Sequence, residues 1–540
     1  ASTTGGAKTS QTLTFYSRTH STVAIGMDTG TNITAGVANT ILGHQAGQSL
    51  ANSDYNVIIG YRAAQSGSTG GGDNNVAIGS HAYGQQSTAT GSGNVAIGQA
   101  AMTYASSSSN SVAIGYLAAD AVTIDNKLVV IGKSAYSAMD TSNGHTSDAS
   151  EGSGNTAIGY YSMAAYSSDG VVRNTAVGFE TMATGADHAA QDNVALGFRA
   201  LKALTTGDKN VAVGSLAADV LATGDHNVAV GMNALGTSTA GDYNVAIGSA
   251  ALFAANHTSN DGSIAIGRSA LTTKNLASGS RFDGATVAIG YQALTALTSG
   301  AKNIAIGYNS MLLATTATNN ISIGYEAMDA MVGHDATDAG HYNIAIGTDA
   351  MGSVNANHDD SEVDGNIAIG HEALKGGLVA SDGDFKANIA IGQNALDGTG
   401  TNDQNGTIAI GQNSLGALSS GGSNTAIGHV TMQSLTTGSD NLAVGRAAGL
   451  SFNGAQSRNT LIGSSAGVSI SGSSSVDNTL LGYYAGAGGS GDMIGCVAIG
   501  SNAMDTTAGN AQTGTIAIGQ SALTALTSGA GNVAIGYQSQ

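Results

Sequence analysis

Proline and tryptophan are absent from the 540 residues, cysteine occurs once, and charged residues make up only 10%. Each scarcity excludes a class. The 80 glycines without any proline cannot form a collagen-like helix, which carries proline or hydroxyproline at about 15–20%. A single Cys496 cannot close an internal disulfide, so the chain is not a disulfide scaffold. With 17 Lys and Arg against 36 Asp and Glu, the net charge of -19 argues against nucleic acid or an anionic membrane as partner. No run approaches the roughly 18 apolar residues of a membrane helix. The start, Ala1 to Gly5, has no basic-then-apolar signal pattern, so the chain reads as processed or as a piece of something longer. What remains is an ordinary apolar fraction of 41%, enough to bury a core.

That apolar material is periodic. A segment Asn-Val-Ala-Ile-Gly or a close variant recurs 28 times, anchored on glycines from Gly26 to Gly536. Twelve of the 27 intervals are 17 residues and eight are 19, while the longest, Gly132 to Gly159, is 27. A unit that takes insertions without losing phase is a stacked repeat with variable loops. Residues 1–20 read as a lead or cap. Residues 21–540 read as one continuous array, with long insertions near 133–158 and 325–391.

Each position of the unit has a rule. The residue before the anchor is Ile, Val or Leu in all 28 copies; the residue three before it is Val, Ile or Thr except at Leu442. Two positions one residue apart share a strand face, so this pair is expected to point into the core. The residue between them is Ala in 22 copies. Such a small uncharged position either suits a narrow coil or marks a surface packed against another copy. Asn stands four before the anchor in 20 copies, a residue suited to cornering and to stacking as a hydrogen-bonded ladder. Leu or Met four after the anchor, in 17 copies, supplies a second buried row. Seventeen residues leave room for about one helical turn at most, so the unit reads as one coil of an all-β parallel β-solenoid with two short strands. Twenty-eight coils at about 4.8 Å give a rod of roughly 130 Å. A lone coil buries too little to offset backbone ordering, so neighbours, and association between chains, must supply the difference.

The motif, followed by a small residue three positions on, as in Asn94 to Ala101, Asn244 to Ala251 and Asn532 to Ser539, resembles the head repeat of trimeric autotransporter adhesins of the YadA type. The resemblance covers essentially residues 22 to 540. It implies a left-handed β-roll of about 28 coils, three chains side by side in a homotrimer, and a non-enzymatic adhesive role on a bacterial surface toward a host glycan or matrix protein. The unit Gly290 to Leu294 is also similar to repeats of phage tail-fibre and other virion fibre proteins, which implies a receptor-binding fibre instead. A purely structural spacer or filament subunit is the third reading. No stalk heptads or barrel strands are read here, so flanking parts are expected elsewhere.

No nucleophile–base constellation stands out, and the twelve His are scattered. The long insertions carry more. Three successive long coils hold Asp335, Asp338 and His341, then His358, Asp359, Asp360, Glu362 and Asp364, then Asp382 and Asp384. Stacking sets these loops side by side, either as an acidic ligand or calcium patch or as solvated insertions. Asp360, Glu362 and Asp364 come nearest to a calcium-loop spacing, without the distal Glu. Tyr follows the anchor in eight copies, three in succession at Tyr291, Tyr308 and Tyr325, as an aromatic ladder or a sugar-binding row.

Overall fold

The structure, a computed structural model, describes residues 21–48, 50–65, 72–84, 90–122, 126–137, 154–165, 170–184, 189–254, 261–274, 285–331, 340–354, 362–376, 384–398, 400, 404–507, 509–527 and 529–540. The segment 1–20 read as a lead lies outside them. The described residues are all β and turn, without a helix, and form a parallel β-solenoid. They fall into two compact units divided between residues 258 and 259. The first holds thirteen three-residue strands, from Val23–Ile25 to Val245–Ile247; the second holds fifteen, from Ile264–Ile266 to Val533–Ile535.

Within each unit a strand pairs in parallel and in register with its counterpart one coil on. Val211, Ala212 and Val213 stand beside Val228, Ala229 and Val230. The second strand expected in every coil forms in only six of them, all in the second unit. These make two small sheets, Val363–Asp364 with Phe385–Lys386 and Gln404–Asn405, and Met493–Ile494 with Gln512–Thr513 and Gly529–Ala530. Elsewhere among the described residues this side of the coil is reduced to single bridges, as between Val172 and Gln191 or Thr318 and His341, or to turns.

The expected orientation of the strand is reversed. The central residue is buried in all 28 three-residue strands, and the flanking Val, Ile, Leu or Thr point outward. In Val194–Leu196 the exposures are 39%, 0% and 46%. Ala thus suits a narrow coil: it lies opposite the Leu or Met four residues past the anchor, and Leu201, Leu252, Leu294, Met311, Met328 and Leu374 are all fully buried. At this facing pair of positions there is room for one large side chain, while a second, such as Leu204 or Leu297, fills the following turn of the same coil. Where the strand centre grows to Ile41, Leu461 or Leu480, the residue across from it shrinks to Gly47, Gly467 or Gly486. A Cβ on Gly486 would sit 2.5 Å from a Leu480 methyl, so the exchange conserves volume.

The turns are built from left-handed residues at fixed places. In the coil anchored on Gly307, Lys302, Asn309 and Met311 have φ of 58°, 53° and 52°. The first of these immediately precedes Asn303, so the chain corners one residue before the position that sequence suggested. A left-handed Leu or Met costs about 1–2 kcal/mol, which burial of its side chain at about 1.5–3 kcal/mol offsets. The anchor itself sits where only glycine is at ease. Gly214 has φ 141°, and a Cβ there would meet the carbonyl oxygen of Gly231 in the next coil at 2.6 Å.

The asparagines stack as a buried ladder. Asn210 donates its backbone N–H to Asn193 Oδ1 at 2.8 Å, and its Nδ2 donates to the same oxygen at 3.1 Å and to the Gly224 carbonyl at 2.8 Å. This amide therefore satisfies a corner of its own coil and one of a neighbour, as buried polar groups require.

Candidate interaction surfaces

The reversal of the strand turns the Val and Ile rows into a surface. Of the 56 flanking positions in the 28 strands, 50 are Val, Ile or Leu and six are Thr; none is charged. Side chains two apart stand about 7 Å apart along the strand, and layers follow at about 4.8 Å. Thirteen layers in the first unit thus make an uncharged, mostly aliphatic strip about 58 Å long. Soluble monomers rarely expose apolar patches beyond about 300–600 Å² without using them. Sequence reasoning placed this strip in the core, because both faces of the strand are apolar and alternation alone does not say which is inside.

Beside the strip, just past the anchor, runs an aromatic column. Tyr291 and Tyr308 stack with centroids 5.1 Å apart and planes 10° apart; Tyr308 and Tyr325 stack at 5.2 Å and 6°. The Arg268 guanidinium lies 5.5 Å from the Tyr291 ring. A second run in the first unit, Tyr160, Phe179 and Phe198, stacks at 5.2 and 5.5 Å, with Lys133 over Tyr160 and Arg199 over Phe198. A search limited to Tyr passed over it, and the recurrence of any aromatic residue after the anchor would have found it. Successive coils hold the rings about one layer apart, so the faces turn to each other in offset stacks. A sugar stacking on these rings needs a free face, and inside each run the faces are occupied.

No family model and no curated protein matches this chain.

The acidic patch is described in part. Asp335, Asp338, His358, Asp359, Asp360 and Asp382 lie outside the described residues. The remaining four, His341, Glu362, Asp364 and Asp384, are brought to adjacent coils, where Lys386 stands among them. Its ammonium pairs with Glu362 and, at 3.1 Å, with Asp384, and the hydrogen bond to Glu362 raises its pKa. Asp364 Oδ1 accepts the His341 backbone N–H at 2.7 Å, a turn bond rather than a ligand position. Among the described residues no three His, Cys, Asp or Glu are grouped to hold a metal ion. A neighbouring cluster repeats the theme, with Lys375 2.6 Å from Glu372 and 3.8 Å from Asp349.

Two further reactive groups are enclosed. Cys496 is buried in the place of a ladder asparagine, donates its N–H to Asn478 Oδ1 at 2.9 Å, and has its thiol pushed up by burial. Lys274, fully buried, donates to Ser263 Oγ at 3.1 Å and Thr286 Oγ1 at 3.0 Å where two hydroxyl residues stand in for the ladder amide. Burial pushes its pKa down to about 7.

Proposed function

We propose that this chain is a non-enzymatic fibrous protein whose copies associate through the Val and Ile rows, as a homotrimer like the YadA-type heads its repeat resembles, on the surface of a bacterium or a virion. The observation that carries the proposal is the uncharged double row itself. A strip about 58 Å long in one unit is of the scale of a stable interface, which covers about 800 Å² per partner. Any partner that covers it must repeat at about 4.8 Å, and a second copy of the chain supplies that period. Sedimentation equilibrium tests this directly. A particle of three times 52.9 kDa is expected, and a V211E/V228E variant, which sets two carboxylates in the strip, should sediment as a lighter species. A folded wild-type monomer refutes the reading.

Within that reading the chain serves as an extracellular attachment or spacer segment. Two observations favour the spacer for the described coils: Lys386 pairs with two carboxylates of the acidic patch, and the inner ring faces of the aromatic runs are stacked. Adhesion to a host glycan or matrix protein would then fall to the insertions. A glycan and matrix-protein binding screen, run on the chain and on variants shortened within 138–153 or 332–339, separates the two. Binding lost with an insertion supports adhesion, and no binding by the intact chain supports the spacer.

A further inference from the structure

Identical layers pose a problem for copies packed along such a strip. Sliding one copy past another by a single coil, about 4.8 Å, exchanges each contact for a nearly identical one. Six layers are different, because Thr40, Thr156, Thr175, Thr425, Thr460 and Thr479 take the first strand position. In the first unit Thr156 and Thr175 are direct strand partners; in the second, Thr460 and Thr479 are. None of these four hydroxyls bonds another described residue of the chain. On an open sheet water satisfies them. Beneath a second copy the water is gone, and a buried hydroxyl without a partner is costly.

On the covering copy, the strand positions of this strip offer a hydroxyl side chain only where another Thr stands. In parallel copies aligned layer on layer, Thr156 meets Thr156 and Thr175 meets Thr175, and each hydroxyl can donate to one neighbour and accept from another. A slip of one layer sets Thr156 against Val129 in one direction, and Thr175 against Val194 in the other. Val then offers no acceptor. A lone polar position fixes register in the apolar seam of coiled coils in the same manner.

We propose that the pairs Thr156–Thr175 and Thr460–Thr479 set the axial register in which parallel copies of this chain pack on one another. The proposal rests on the reading that the Val and Ile rows are the self-association face. The test uses the full chain with its buried Cys496 left in place. Copies carrying V211C are mixed with copies carrying V228C, refolded together and oxidised. Same-site disulfides report aligned layers, and mixed-site disulfides report a one-coil slip. With the threonines present, same-site products should exceed mixed ones at least tenfold. In a T156V/T175V/T460V/T479V background the two should become comparable, because Val already holds this position in neighbouring coils and the fold should tolerate it. Circular dichroism and sedimentation establish that each background is folded and associated. An associated oligomer with the same product ratio in both backgrounds overturns the register role alone. A folded monomer overturns the association reading and the register role together.

Discussion

Replacing Gly214 by Ala should open the solenoid locally, and the size of the effect can be built from the turn. Its φ of 141° lies outside the regions an L-residue adopts readily, a cost of about 1–3 kcal/mol. The new methyl would also press on the Gly231 carbonyl oxygen at 2.6 Å. That oxygen belongs to the backbone of the next coil, so relief requires moving a strand, and overpacking of this kind costs a further 1–3 kcal/mol or about that. The sum is roughly 2–6 kcal/mol, or a factor of about 30 to 10⁴ in the local opening equilibrium. A global unfolding free energy is ill defined for a long repeat array, so native-state hydrogen exchange is the suitable assay. The amides of Gly214 and Gly231, bonded to the carbonyls of Leu196 and Val213 at 2.8 Å, should lose protection by that factor. Gly406 is the control. Its φ is 64°, a Cβ there meets nothing within 4 Å, and Lys302 holds the equivalent corner in another coil. Gly406→Asn should cost less than about 1 kcal/mol, since Asn tolerates this region. Equal losses at the two sites, or an unchanged Gly214→Ala, refute the reasoning.

Four further outcomes are expected. Gly486→Leu should lower the melting temperature through its clash with Leu480, and adding Leu480→Ala should recover most of the loss; additive losses in the double variant contradict the one-large-side-chain rule. Burial, followed by repulsion from Glu326 and Asp349, pushes the Asp329 carboxyl up to about 6, so the folded state holds this proton more tightly and stability falls as pH rises from about 4 through 6. Asp329→Asn should therefore stabilise at pH 7 by about 1 kcal/mol after screening of a half-buried group, with no gain in thermal melts at pH 4. Lys274 has the opposite sign: with its pKa lowered to about 7, melts of the wild type relative to Lys274→Met should improve between pH 7 and 10 and stay level below 7. Because Lys386 already neutralises Glu362 and Asp384, melting curves in chelator and in calcium should coincide, and an upward shift in calcium would put a cation in the patch.

Much of the architecture was legible in the repeat. The invariant anchor, the small residue three beyond it and the recurring Asn point to a stacked coil, and the ladder from Asn193 to Asn210 is the one the sequence suggests. The inside of the coil was not legible, because Val211 and Ala212 are both apolar and alternation is symmetric between faces. Volume decides it: next to a buried Leu or Met a residue as small as Ala or, at Ser322 opposite Met328, Ser takes the strand centre, so the larger residues turn outward. The surfaces were less legible still. That Lys386 would reach both Glu362 and Asp384 depends on the register of successive coils, which insertions of unequal length conceal. Tyr291, Tyr308 and Tyr325 were visible because one column repeats, whereas the orientation of their rings comes only from the spacing of layers.

The asparagine ladder has a mechanical consequence. Its runs are Asn39 to Asn94 and Asn155 to Asn244 in the first unit, and Asn303 to Asn388 and Asn424 to Asn478 in the second. Between the first two stand Ser111 and Leu128, where a hydroxyl carries the bond in place of an amide; between the last two stands Thr407. Within a run most amides hold the next by two bonds, the step from Asn56 to Asn75 having one, so tension is shared along it. At an interruption the load falls on one bond at most. A chain pulled from its ends would therefore lengthen in steps, whole runs surviving while the coils at Ser111–Leu128 and Thr407 give way, and the extension released at each step would report the distance between interruptions.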